Sequence, residues 1–211
     1  MTAGQLREVA GRLEQAGHWR PGDPDIIVVM DAGYDVTRLA WLLADLPLVL
    51  CARLRSNRVF CGAPPPKAPG LGGRPREHGD PVKCDDEKTW AAPAATGRAD
   101  TARYGAVAVA AWDRMHPKLA KLAGWAGHPG KIPCIEGTLI QLRAGRRPGY
   151  RELKPLWLRA SVTGATGAEI TALWQAFSRR FDLEKSKPQC CHSRGWPASS
   201  VPSRSVFMRA A

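Results

Sequence analysis

Residues 25–56 read DIIVVMDAGYDVTRLAWLLADLPLVLCARLRS, and this stretch decides the fold class. It begins with an uninterrupted, mostly β-branched run at 26–30, which is typical of a strand that is covered on both faces. Residues 36–46 favour a helix that ends before Pro47, with Trp41 on its apolar stripe and therefore expected in the core. Residues 48–56 are a second strand-like run. Strand, helix and strand joined by short connections predict an α/β sheet.

The first strand-like run ends on an acid, Asp31. A second acid, Glu184, lies far along the chain near the end of a predicted helix. Ligands of α/β sheets gather beyond the carboxyl ends of the strands. Residues 166–184 predict a strong helix, and Glu184 follows the apolar Phe177 by seven residues, so it shares the inward face. An acid on that face is costly unless it is paired or binds a cation. Two plainer roles stay open: Asp31 caps the next helix, and Glu184 pairs with Arg180.

The remaining sequence divides the chain into four segments. Residues 1–56 hold an amphipathic helix at 2–17 and the α/β stretch, and residues 57–150 form a β-rich, basic segment that contains a Pro/Gly-rich loop at 62–81. Strands are predicted at 104–112, 132–144 and 155–162, mostly antiparallel. Residues 151–184 return the chain to the α/β part, and residues 185–211 are a basic tail without an acid, which we expect to be disordered.

The net charge of +12 is concentrated in two of these segments. Residues 57–150 carry +7 and residues 185–211 carry +5, whereas residues 1–56 carry −1. Concentrated positive charge favours a nucleic acid partner through counterion release, and charge that serves solubility is the alternative. The sequence shows neither an apolar run of about 18 residues nor an export signal, so we expect a cytoplasmic protein that does not enter membranes.

Several residues that resemble site residues are assigned plainer roles. The six cysteines lack paired metal-ligand spacing, and CCH at 190–192 is too tight for zinc, so reduced, incidental thiols are expected. Glu136 is assigned a structural role, and His116 and His128, which have no evident partner, are expected on the surface.

Arg74 and Arg76 in the loop at 73–79 are candidates for clamping a DNA backbone, with solvated loop charge as the alternative.

Several blocks, taken together and in order, resemble bacterial insertion-sequence transposases of the DDE superfamily. They are VVMDAGYDVTRLAWLLADLPLVLCARLRSNRVF at 28–60, NRVFCGAPPPKAPGLGGRPREHG at 57–79, RYGAVAVAAWDRMHPKL at 103–119, IPCIEGTLIQL at 132–142, KPLWLRASVTGAT at 154–166 and WQAFSRRFDLE at 174–184. The resemblance covers residues 1 to about 184. It implies an α/β ribonuclease-H-like fold, incomplete at its N-terminus, with a β-rich insertion between the second and third catalytic acids.

The resemblance also implies a chemistry and a set of roles. Asp31 would be the second catalytic acid and Glu184 the third, and in the complete family site such acids hold two Mg²⁺ or Mn²⁺ ions. The implied reaction is metal-dependent phosphodiester hydrolysis at transposon ends followed by strand transfer into target DNA, by a nucleoid-associated protein that is expected to act as a dimer on DNA. Arg180 follows the aromatic Phe177 by three residues, as in the family signature, and would contact phosphate or orient Glu184.

Two departures from the family pattern concern the catalytic set. No residue before the first helix matches the first catalytic Asp, so this chain has no candidate for it. Cys191 stands where the signature has Lys, and from Lys185 onward the resemblance ends. We therefore expect a truncated and impaired copy of a transposase. A non-catalytic DNA-binding remnant is the alternative.

Overall fold

The computed structural model describes residues 2–67, 70, 72–101, 105–144 and 154–185, with side chains described as far as 179 in the last helix. The predicted basic tail at 186–211 lies outside these residues. Three α-helices occupy Ala3–Gln15, Val36–Leu42 and Gly167–Lys185, and are numbered α1 to α3. Eight strands, β1 to β8, occupy Ile26–Met30, Leu48–Leu54, Val59–Cys61, Pro81–Lys83, Ala95–Thr101, Gly105–Trp112, Thr138–Ala144 and Leu156–Ala160.

Six of these strands form one mixed sheet in the order β1-β2-β8-β7-β6-β5, and β3 pairs with β4 in a small separate sheet. Strand β1 runs parallel to β2, with Met30 opposite Ala52, while β2 and β8 are antiparallel. The pairs among β5, β6, β7 and β8 are antiparallel as well. This mixed α/β architecture is compatible with the ribonuclease-H-like fold that the resemblance implies.

Helices cover both faces of the β1–β2 end of the sheet. Because side chains alternate along a strand, Val28 and Met30 face a cluster formed with α1 and α2, which includes Leu6 and Leu39. Val29 faces the opposite cluster, to which α3 contributes a row of apolar side chains: Ile170, Leu173, Trp174, Ala176 and Phe177. Both faces of β1 are therefore buried, as the uninterrupted apolar run predicts.

A third cluster lies beside the α1–α2 cluster, on the same face of the sheet. Phe60 of β3 and Val82 of β4 pack there against large side chains of the main sheet, namely Trp112, Leu139 and Trp157. Segment 57–150 thus contributes in two ways. Its strands β5 to β7 extend the main sheet, and its strands β3 and β4 cover part of one face.

Each of the two long helices begins at a threonine cap. Thr2 accepts a hydrogen bond from Gln5 N and completes a capping box at α1. At α3 the Thr166 hydroxyl accepts a bond of 3.3 Å from Glu169 N, and the Glu169 carboxylate accepts one of 2.7 Å from Thr166 N. These reciprocal bonds satisfy N–H groups that lack partners within the helix.

Three features of the fold differ from the expectations based on the sequence. Strand β7 begins at Thr138 rather than at residue 132, and Pro133 in the preceding segment cannot donate to a ladder. Strand β5 was not predicted, because ATGRADT lacks an apolar alternation, and its place comes from pairing with β6. Trp41, predicted as core, is 45% exposed and contacts His128 edge-on. Among the helices of the described ranges, none is long and apolar enough to cross a bilayer.

Candidate functional site

Asp31 is the first residue after β1 and is exposed at the carboxyl end of that strand. Its carboxylate accepts a hydrogen bond of 2.8 Å from Ala32 N, and its carbonyl accepts a longer one, 3.4 Å, from Tyr34 N. The helix cap that the plainer interpretation assigned to Asp31 belongs instead to Asp35, which accepts from Arg38 N at 3.0 Å. Asp31 therefore lies in the turn between β1 and α2 without being the cap of α2.

A cleft of about 800 Å³ opens beside Asp31 and is lined by three basic side chains. Because β2 is parallel to β1, its carboxyl end brings Arg53 and Arg55 to the same edge of the sheet. Lys154 reaches the cleft because it precedes β8, which runs antiparallel to β2. None of these three cations forms an ion pair within the described residues. Such a cleft attracts a polyanion toward the carboxylate.

Helix α3 carries Glu184 one residue before its end at Lys185. The helix packs on the face of the sheet that Val29 occupies, and Asp31 follows Val29 by two residues, the spacing of side chains on one face of a strand. The side chains of Glu184 and Arg180 lie outside the described part of the chain. The structure thus places the backbone element that carries Glu184 against β1 and leaves the meeting of the two acids as a proposal.

The donor atoms that the cleft offers suit a hard cation. Asp31 supplies exposed carboxylate oxygens, which are the ligands that Mg²⁺ and Mn²⁺ prefer. Among the described side chains, no group of three or more His, Cys, Asp or Glu is arranged to hold a metal ion. A metal site at Asp31 therefore needs carboxylates from beyond this set, and Glu184 is the family's candidate for one of them.

The two loop arginines are each paired with a neighbouring acid. Arg74 forms an ion pair with Glu77, and Arg76 forms one of 2.8 Å with Asp80. Lys131 also binds Glu77, at 3.0 Å, and the two cations hold the pKa of that carboxyl below its ordinary value, chiefly through the hydrogen bond from Lys131. The positive charge of this loop is therefore partly offset within the protein.

Glu136 has a structural environment. It precedes β7, and its carboxylate pairs with Arg114 at 3.0 Å. Strands β7 and β2 are both antiparallel to β8, so Glu136 lies toward the edge of the sheet opposite the carboxyl end of β2. This position separates Glu136 from the Asp31 cleft and agrees with the structural role expected for it.

The prediction of surface positions is wrong for His116, which is 1% exposed. Its Nε2 lies 2.9 Å from Nδ1 of His78, and its backbone pairs with that of Cys61. Burial, followed by the charge of His78, lowers the pKa of His116 below its ordinary value. The pair holds the Pro/Gly-rich loop against the start of the segment after β6, a contact between residues 38 apart in sequence.

Four cysteines fall within the described residues, and all of them are free thiols. Cys51, Cys61 and Cys84 are buried, and burial raises the pKa of Cys51 and Cys84 to about 12. Thiols in this state are poor nucleophiles and metal ligands. Burial of Cys51, Cys61 and Cys84 favours the interpretation of these residues as incidental thiols.

Arg53, Arg55 and Lys154 were not singled out from the sequence. A signal for the first two was present: two arginines alternate at the carboxyl end of the second strand-like run, CARLRS. Because β1 and β2 are parallel, their carboxyl ends lie at the same edge of the sheet, so these arginines lie near the end of β1. Lys154 could not be placed in the same way, since its position depends on the antiparallel pairing of β8.

Comparison with known families identifies one match. Residues 1–118, more than half of the chain, match the sequence model of the family described as DDE superfamily endonuclease. A search of curated proteins finds no match to the chain. The matched residues include β1, Asp31, α2 and β2, and so contain the acid and two of the three cations of the cleft.

Proposed function

Because the chain belongs to the DDE superfamily of endonucleases, we propose that it is the DNA-processing part of an insertion-sequence transposase and that Asp31 and Glu184 are its second and third catalytic acids. The reaction of such a protein is metal-dependent hydrolysis of a phosphodiester bond, followed by attack of the freed 3′-hydroxyl on target DNA. The partner is therefore DNA, at transposon ends and at the target, with a dimer on DNA as the working assembly.

The observation that carries this proposal is the position of Asp31 between a buried strand and a basic cleft. Arg53, Arg55 and Lys154 line the cavity into which the carboxyl end of β1 opens. Phosphates of a DNA strand bound there would contact these cations and bring a scissile bond toward Asp31.

Arg180, on the helix that carries Glu184, would add a phosphate contact. Arg74 and Arg76 would contribute more weakly, because each already binds an acid.

Divalent metal supplies the charge neutralisation and the activated water or hydroxyl that phosphoryl transfer requires. Asp31 and Glu184 would hold Mg²⁺ or Mn²⁺ through carboxylate oxygens. The cations of the cleft bind and orient the DNA backbone, and positioning and electrostatic stabilisation are the main contributions of a protein to this class of reaction.

The family resemblance assigns no residue of this chain as the first catalytic acid, so we propose that the 211 residues by themselves are severely impaired in cleavage. Strand β1 has a partner only on its β2 side within the described sheet. That open edge is where a strand carrying a further acid would pair. A site with two acids instead of three would bind metal more weakly and would lack part of the two-metal geometry.

A nicking assay with the 211-residue protein tests the proposal. Supercoiled plasmid is incubated with protein and Mn²⁺, and nicked product is measured for the wild type, Asp31→Asn and the matched control Asp35→Asn, which changes an acid that caps α2. We expect slow nicking, abolished by Asp31→Asn and retained by Asp35→Asn. Vigorous nicking would contradict the proposed impairment, and nicking that survives Asp31→Asn would contradict the assignment of Asp31.

The second candidate function is DNA binding without catalysis, by a remnant that occupies transposon ends. The concentration of basic residues in the cleft and in segment 57–150 favours it. This function predicts DNA affinity that falls with salt and is equal in Mn²⁺ and in EDTA. A tenfold or greater gain of affinity on adding Mn²⁺, lost in Asp31→Asn, would favour the metal-dependent function instead.

A further inference from the structure

A second cleft, of about 510 Å³, lies on the other side of the turn that follows Asp31. It shares residues 32–34 and Leu54 with the Asp31 cleft and extends between the start of α2 and the segment 117–125. Arg58 and Lys118 are exposed at its walls, and Arg159 of β8 is among its lining residues. We call this cavity the Arg159 cleft.

Arg159 is a buried cation without a paired acid. It is 1% exposed, its Nη1 donates to Thr37 Oγ1 at 3.1 Å, and its Nη2 donates to the carbonyl of Ile135 at 2.7 Å. Its Nε has no hydrogen-bond partner, and no carboxylate of the described ranges lies within ion-pair distance. A buried charge of this kind is costly unless an anion compensates it.

Trp125 lines the same cleft and carries a second buried donor. Trp125 is 5% exposed, and its indole N–H has no hydrogen-bond partner within the described residues. Buried polar groups are satisfied in the great majority of cases, so two unpaired donors on residues that line one cavity favour a ligand with acceptor oxygens. The net charge of the lining residues also favours an anion. The cleft has three cations, Arg58, Lys118 and Arg159, and a single carboxylate, that of Asp35, which already caps α2.

We propose that the Arg159 cleft binds a phosphodiester group of a DNA strand, with Arg58 and Lys118 as the outer contacts and the buried donors of Arg159 and Trp125 facing the bound group. The proposal rests on the proposed function for the identity of the ligand as DNA, and it needs neither metal nor Asp31. Because the two clefts share the turn at 32–34 and Leu54, a strand held in the Arg159 cleft would be fixed next to the Asp31 cleft.

The test is a titration followed by ¹⁵N NMR of the arginine Nε–H and tryptophan indole N–H groups. Hexathymidylate is added to the full 211-residue protein in EDTA, and the same titration is made with a hexathymidylate whose linkages are neutral methylphosphonates. The signals are assigned with Arg159→Lys and Trp125→Phe. We expect the Arg159 Nε–H and Trp125 indole signals to shift with the natural oligonucleotide and to stay in place with the neutral one.

Two exposed substitutions keep the test independent of folding. Arg58→Ala combined with Lys118→Ala is expected to weaken binding of hexathymidylate at least tenfold. Arg98→Ala, an exposed arginine on the strand at the opposite edge of the sheet, is the matched control and is expected to leave binding unchanged.

Other results would overturn the proposal. Stationary Arg159 and Trp125 signals during the titration would show that the cleft does not take up the strand. Equal shifts with the neutral analogue would assign the cleft to bases rather than phosphate. Failure of metal-dependent nicking would leave this titration unaffected, since it is made without metal, so the two proposals fail separately.

Discussion

Val29 of β1 and Phe177 of α3 lie in the same buried cluster, 3% and 1% exposed, although 148 residues separate them. Val29 precedes Asp31 by two residues, and Phe177 precedes Glu184 by seven. These spacings are those of one strand face and of two helical turns. The core therefore joins the two elements whose acids the family resemblance implies, and this contact is the physical basis of the account.

Gly137 is expected to resist substitution. A Cβ at this position would lie 2.4 Å from the carbonyl oxygen of Ala160 and 3.3 Å from Nη2 of Arg159. Backbone atoms at that distance can move apart only at an energetic cost. Gly137→Ala should therefore lower the free energy of unfolding by about 1–3 kcal/mol, measured by urea denaturation. Gly127→Ala, where a Cβ would meet nothing within 4 Å, is the matched control and should lie within about 0.5 kcal/mol of the wild type. Equal stability of the two variants would contradict the close approach of β7 and β8.

The capping box of α3 is expected to make stability depend on pH at the acid end. The hydrogen bonds from the Thr166 backbone and side chain lower the pKa of Glu169. An acid whose pKa is lowered by folding stabilises the fold above its unfolded pKa of about 4.3, and that contribution is lost as the pH falls through the folded pKa. Glu169→Gln should therefore reduce the loss of thermal stability between about pH 5 and pH 3.

The same cap has a second signature at neutral pH. Thr166→Ala should lower the free energy of unfolding by about 1 kcal/mol, because Glu169 N loses its acceptor. Gln175→Ala, on the exposed face of α3, is the comparison and should change stability by less than about 0.5 kcal/mol. A Thr166→Ala variant as stable as Gln175→Ala would show that the cap contributes nothing to the helix that carries Glu184.

The buried His116 should make the free energy of unfolding depend on pH near neutrality as well. Folding lowers its pKa, so the unfolded chain takes up a proton at a pH where the folded chain does not. Stability should be complete above the unfolded pKa of about 6.5 and should decrease as the pH falls below it. Urea denaturation at pH 7.5 and pH 5.5 measures this slope, which His116→Gln should reduce and His18→Gln, at an exposed position, should retain. A slope that is unchanged in His116→Gln would contradict the assignment.

DNA affinity should distinguish the cleft arginines from the loop arginines. Arg53 and Arg55 form no ion pair within the described residues, whereas Arg74 and Arg76 bind Glu77 and Asp80. Losing one phosphate contact lowers the slope of log K against log salt by about 0.9. Fluorescence anisotropy at several salt concentrations should show this reduction for Arg53→Ala or Arg55→Ala. A larger effect of Arg74→Ala or Arg76→Ala would move the DNA-binding surface to the loop.

The sequence predicted the strand–helix–strand unit, since its signals are local: an apolar run, a helix stop at Pro47 and short connections. The caps of α1 and α3 were predictable for the same reason. Asp31 could be placed at a strand end because the run before it has no polar interruption. The role of Trp41 was misjudged, since periodicity identifies a stripe but not whether a neighbouring element covers it.

The Arg159 cleft could not be predicted from local pattern. Arg159 lies in an apolar strand, LWLRA, where a charged residue is expected to face solvent. Its hydrogen-bond acceptors, Thr37 and Ile135, lie 122 and 24 residues away in sequence. His116 is a similar case, because its partner His78 comes from a loop without regular pattern. Such contacts arise from tertiary packing, which a single sequence does not encode in its periodicity.

The most direct test of the central claim is a double-mutant cycle on Mn²⁺ affinity, measured by electron paramagnetic resonance of free Mn²⁺ with DNA present. If Asp31 and Glu184 hold one ion together, Asp31→Asn and Glu184→Gln should each weaken binding at least tenfold, and the double variant should be little weaker than either. Glu136→Gln, remote from the cleft, is the control and should bind Mn²⁺ like the wild type. Unchanged affinity in both single variants, or losses that add in full in the double variant, would contradict a shared metal site and with it the proposed chemistry.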